Sequence, residues 1–110
     1  MRASLINTEL SEAVLTAATL ANADLTGSNL RGVDLTNANL SGADLIGVNF
    51  EGADLTRATL IEADLTAANL TNADLTGADL TNIDLAGATL LAADLTRTKL
   101  GDPHPTSTDT

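Results

Sequence analysis

The sequence predicts an all-β fold, a parallel β-helix of square cross-section about five coils tall. Three observations carry that expectation. Leu occupies every fifth position from Leu5 to Leu100, with Phe50 the single exception, so twenty pentads follow one another without an insertion. Ala stands two residues before the centre in fourteen of those twenty pentads. Hydrophobic residues make up 44% of the 110, and they are nearly all Leu and Ala, with one Phe and no Tyr, Trp or Cys.

A period of five fits neither regular element. Steps of five advance by about 140° around an α-helix and would scatter the Leu residues over the whole cylinder. In a straight strand, successive Leu would fall on opposite faces. Every Leu points inward if Ala and Leu, two apart, share the inner side of a very short strand and a two-residue corner then turns the chain by a quarter. Four pentads close one coil of twenty residues. Leu25, Leu45 and Leu65 then stack in one column, Leu55 and Leu75 in another, and Phe50 takes a centre in a third; these six are the expected core.

Corner chemistry agrees with this folding. The last position of the pentad is Gly seven times and Asn five times, the residues that best tolerate the positive φ of a type II turn. Ala beside each corner is small enough for four segments to approach a narrow axis. Coils spaced about 4.8 Å apart would pair as parallel ladders, so five of them make a rod about 24 Å tall.

Ala-Asp-Leu-Thr-Gly at 23–27 and 73–77, Ala-Asn-Leu-Thr-Asn at 68–72 and Ala-Asp-Leu-Thr-Arg at 53–57 resemble the pentapeptide-repeat proteins. Their consensus is Ala, then Asp or Asn, then Leu or Phe, then two variable residues. The resemblance covers residues 3–102 and implies a right-handed quadrilateral β-helix, the handedness being a property of the family. Some members mimic DNA, binding gyrase and protecting it from quinolones. Those members are typically longer and dimerise through a C-terminal module, whereas here the repeat ends at residue 102.

Taking the pentads four at a time predicts which side chains stack. Face one carries Ser4, Asp24, Asp44, Asp64 and Asp84, four acids with no base. Face two carries Glu9, Asn29, Asn49, Asn69 and Thr89, with Glu12, Arg31, Glu51 and Leu91 beside them. Face three carries Val14, Asp34, Asp54, Asp74 and Asp94, followed by a Thr ladder at 16, 36, 56, 76 and 96 and offset by Arg57 and Arg97. Face four is mixed: Thr19, Asn39, Thr59, Asp79 and Lys99. Two columns of four Asp hold six neighbouring pairs, a repulsion of about 2–4 kcal/mol in all after screening. Asn would fit the same backbone, so Asp24, Asp44, Asp64 and Asp84 are the candidate protein-binding surface and Asp34, Asp54, Asp74 and Asp94 a secondary acidic column. The competing structural reading is that Asp and Asn both accept local backbone hydrogen bonds near turns.

Fifteen acids against five bases give a net charge of −10, which disfavours direct contact with nucleic acid or an anionic membrane. Residues 1–101 hold 13 acids and 5 bases, or −8; over the rod that is one net charge per roughly 3 Å, about half the density of duplex DNA. The expected function is a non-catalytic structural or protein-interaction module that presents acidic faces to an unknown partner; the alternative, which the resemblance implies, is a DNA-mimicking binder of a type II topoisomerase. No cofactor or metal is expected, because calcium takes about six to eight converging oxygens and a flat column offers few. Catalysis has no footing: the Asp columns are near-identical, and the lone His104 lies between Pro103 and Pro105. The chain reads as 1–102 repeat domain and 103–110 flexible polar tail. Its start lacks the apolar run of a signal peptide, which gives a cytoplasmic expectation, and no apolar run is long enough to span a membrane. With no cap evident in the sequence, an end-to-end homodimer is expected to cover the Leu cross-section.

Overall fold

The computed structural model describes residues 3–100. The expected tail at 103–110 lies outside them. Residues 3–22 form coil 1, 23–42 coil 2, 43–62 coil 3, 63–82 coil 4 and 83–100 coil 5. Sixteen parallel pairings, each between residues twenty apart, join the coils, and all sixteen fall at the position before the centre. Ser4 pairs with Asp24, Asp24 with Asp44, Asp44 with Asp64 and Asp64 with Asp84, and the other three faces repeat the arrangement. The columns predicted from the sequence are therefore the columns of the fold.

In coils 1 to 4 a pentad holds itself and the next coil with up to four backbone hydrogen bonds. One closes the corner, as from Ser28 N to Leu25 O at 2.9 Å. Three run between coils, as from Leu25 N to Asp44 O and Gly27 N to Ile46 O, both 2.8 Å, and back from Asp44 N to Ala23 O at 2.9 Å. The last residue of every pentad from Asn7 to Arg97 has positive φ, between 55° and 71°. Gly fills that position without strain, but Ala17, Ala67 and Ala92 hold it too, at 61° each. Non-glycine L-residues enter this region at a cost of about 1–2 kcal/mol, so corner closure and three ladder bonds outweigh local preference there.

The axis is filled as expected. Leu25, Leu45, Phe50, Leu55, Leu65 and Leu75 are all buried, and the buried core runs without a break from Ala23 to Leu80. Leu5, Leu10, Leu15 and Leu20 at one end, and Leu85 and Leu90 at the other, only pack against it. One buried polar group interrupts the apolar column. Ser28, in an Ala position, donates from its hydroxyl to Leu5 O at 2.6 Å and accepts from Thr8 N at 2.9 Å. It thereby pins coil 1 to coil 2, and a Ser among Ala residues was the sequence signal for it.

The acidic columns as a candidate interaction surface

The thirteen Asp and Asn side chains of the ladder positions share one task. In twelve of them Oδ1 accepts the backbone N–H two residues on, at 3.0–3.1 Å, which fixes the exposed end of each strand to the first corner residue. This is the Asx turn, a side-chain imitation of a backbone turn. It accounts for Asp or Asn, and a second contact favours Asp wherever Thr follows the centre. Where Thr follows the centre, its hydroxyl also donates to the same carboxylate oxygen: Thr26 to Asp24 and Thr76 to Asp74 at 2.6 Å, Thr56 to Asp54, Thr66 to Asp64 and Thr96 to Asp94 at 2.5 Å. Two donors on one oxygen suit a charged acceptor. Asp-Leu-Thr is thus a structural unit, and the Thr ladder of face three has its hydroxyls turned to the Asp column.

The same kind of contact lowers the pKa of three of these carboxyls. Asp34 is held below its ordinary 3.8 by the Thr36 N–H and hydroxyl, Asp79 by the Thr81 hydroxyl, and Asp94 by the Thr96 hydroxyl and N–H. Glu9 is lowered from 4.5 by hydrogen bonds from Ser11 and then Asn29. On face one, Asp24, Asp64 and Asp84 follow the rule, with bonds to Thr26, Thr66 and Ala86. Asp44 does not: Ile46 stands where Thr would be, and Asp44 Oδ1 is buried without a hydrogen-bond partner.

The cations act along the corners. Among the described residues, both ion pairs are made by Arg31, to Glu12 at 3.8 Å and to Glu51 at 3.5 Å, along the corner of face two. Stacked Gly32 and Gly52 leave an open polar notch of about 330 Å³ there, bounded by those three charges and Asn72. Arg57, set beside the Asp residues of face three, donates from its Nε to Asn37 Oδ1 at 3.1 Å along the corner. No group of three or more acidic or His side chains converges as metal ligands would among the described residues, and none of their helices is long and apolar enough to cross a membrane.

A model of pentapeptide repeats, in 8 copies, matches residues 1–37, 34–72 and 63–102. Among solved structures, the chain is similar to HetL, a pentapeptide repeat protein involved in heterocyst differentiation regulation from the cyanobacterium Nostoc sp. strain PCC 7120. The TM-score is 0.87 at 37% identity, over 92% of this chain and 48% of HetL. It thus spans about half the length of that relative. Rfr23 from the cyanobacterium Cyanothece 51142 aligns with a TM-score of 0.51 at 31% identity, over 76% of this chain and 64% of that one. QnrB1, a plasmid-mediated fluoroquinolone resistance protein, shares the fold at 23% identity and a TM-score of 0.50, over 94% of this chain and 60% of its own. Among curated proteins nothing matches. These structures are right-handed quadrilateral β-helices, and with its repeats matched along nearly its whole length the chain belongs to the pentapeptide-repeat family.

Proposed function

We propose that this chain is a non-catalytic protein-interaction module that presents face one to a basic surface of a protein partner. The observation that carries this reading is the column Asp24, Asp44, Asp64 and Asp84, paired in strict parallel register. Asx bonds orient three of the four carboxylates, so the charges form a ruled line at about 4.8 Å spacing. A partner with Lys or Arg at matching intervals meets that line without reorganising it. HetL is described as involved in heterocyst differentiation regulation; a regulatory role exercised by binding suits a rod whose Asp side chains, Asp44 apart, are bonded into turns. The uncovered cross-sections add the two ends as contact surfaces for a second copy.

A second reading, that the rod stands in for duplex DNA on a type II topoisomerase, is favoured by the net charge of −8 over residues 1–101, about half the linear density of DNA. One experiment separates the two. Wild type and a variant with Asp24, Asp44, Asp64 and Asp84 changed to Asn are compared in a gyrase supercoiling assay, with and without a fluoroquinolone, and as baits for proteins from a lysate. The primary reading expects basic proteins retained by wild type and lost by the variant, with no effect on gyrase. Equal retention by both baits would remove face one from the mechanism. Inhibition or protection of gyrase that the variant loses would establish the second reading instead.

A further inference from the structure

The four carboxylates of face one differ in what their own pentads give them. Asp24 Oδ1 accepts from the N–H of Thr26 at 3.1 Å and from its hydroxyl at 2.6 Å. Asp64 Oδ1 is held in the same way by Thr66, at 3.0 and 2.5 Å. Asp84 Oδ1 has a single donor, the N–H of Ala86 at 3.0 Å. Asp44 Oδ1 is buried and has none. Such an oxygen is costly, because water has been taken from it and nothing has replaced the water.

The surroundings of Asp44 set it apart as well. Ile46 brings a half-buried apolar side chain where Thr26 and Thr66 bring hydroxyls. Beyond it Gly47 leaves the corner bare, since a Cβ there would meet no atom within 4 Å. Place in the column does not explain the difference. Asp44 pairs with Asp24 and Asp64, and Asp64 with Asp44 and Asp84, so each stands between two acids. What separates them is the donor.

We propose that Asp44 is the anchor of face one and takes an arginine side chain of the protein partner. This rests on the reading of face one as the interaction surface, and it names the residue and the chemistry that hold the partner there. A guanidinium donates two parallel N–H bonds, one to each oxygen of a carboxylate. Asp24 and Asp64 meet that fork with Oδ1 already taken by two donors, which they must release to offer both oxygens. Asp44 reorients without breaking a hydrogen bond, and its orphaned oxygen gains the donor it lacks. Ile46 offers apolar surface to the methylene stem of the arginine, and the bare corner at Gly47 admits the partner's main chain. A lysine ammonium is a compact, strongly hydrated point charge and cannot fork across the two oxygens. The donors also rank the rest of the column: Asp84 comes second, and Asp24 and Asp64 come last.

The probe is Nα-acetyl-arginine amide, titrated into the full chain at constant pH and ionic strength, with Nα-acetyl-lysine amide for comparison. The carboxyl carbon resonance of each Asp is followed by NMR. Asp44 should bind the arginine probe about fivefold more tightly than Asp64, the worth of a charged hydrogen bond that need not be given up. Asp84 should lie between them, and the lysine probe should not separate the four. Ile46→Thr restores the hydroxyl present at Thr26 and Thr66, and should bring Asp44 back to the affinity of Asp64. A circular dichroism spectrum superimposable on that of wild type shows that this variant keeps the fold. Equal affinities at all four Asp in wild type overturn Asp44 as the anchor and leave face one standing. A preference for Asp44 that survives Ile46→Thr, or that the lysine probe shares, overturns the chemistry assigned to it. Response confined to Asp34, Asp54, Asp74 and Asp94 removes face one itself, and the anchor with it.

Discussion

The middle of the rod and its ends carry nearly the same pentads, yet they bury them differently. Leu45 and Leu65 in coils 3 and 4 are sealed, whereas Leu95 and Leu100 in coil 5 remain in contact with solvent. A centre in this fold is buried by the coils above and below it and hardly at all by its own pentad. Stability is then a sum over boundaries between neighbours, as in other solenoids, and among the described residues coils 1 and 5 have one boundary each where the others have two. The corners differ from the core in this respect. Asx bonds and left-handed corner residues run from coil 1 or 2 through coil 5 with little change, because a corner is closed mainly by its own pentad.

The largest expected effect breaks the core comparison directly. Leu65→Ala should cost about 3 kcal/mol in urea denaturation, and Leu95→Ala less than about 1 kcal/mol. Equal losses would mean that the terminal coil is as well covered as the middle. Acid should reach both regions together. Asp34, Asp79, Asp94 and Glu9, spread over coils 1 to 5, all have lowered pKa values. Groups depressed on folding stabilise the protein above their ordinary values and lose that contribution as pH falls through the folded values. Melting followed by circular dichroism should therefore shift to lower temperature below about pH 4, and an unchanged Tm at pH 3 would contradict the role given to the Thr contacts. The smallest effect is a gain. Ala67→Gly relieves a left-handed Ala in coil 4 and should add about 0.5 kcal/mol. Ala92→Gly relieves the same φ of 61° in coil 5, yet should raise global stability less, since that coil opens before the rest.

The period of five was enough to assign every residue to a face, because a single geometry turns all the centres inward. Positive φ at the corners was legible for a related reason, since Gly and Asn recur at one position. Surface detail was less so. The twenty-residue spacing stacks Arg57 on Asn37 and Glu51 on Arg31, and it sets Glu12 beside them, but it does not say that Arg57 turns along its corner to Asn37 and not across to the Asp residues of its own face. The bond from Asp to its own corner was foreseeable, whereas the pairing of Thr with Asp becomes visible only when both reach the same oxygen. Asp44 shows the converse: replacing Thr with Ile at position 46 removes that donor. The acidic column itself was legible, but a solvated face and a binding face are spelled alike.

The twenty-residue closure gives changes in length an unusual outcome. Because every centre of the rod but one is Leu, loss of one pentad leaves the core continuous and turns everything beyond it by a quarter. Deleting residues 43–47 would seat Asn49 above Asp24 and carry Asp64 and Asp84 from face one to face four. In such a molecule, slippage of a repeat during gene copying rewrites the exterior wholesale while the interior registers almost nothing.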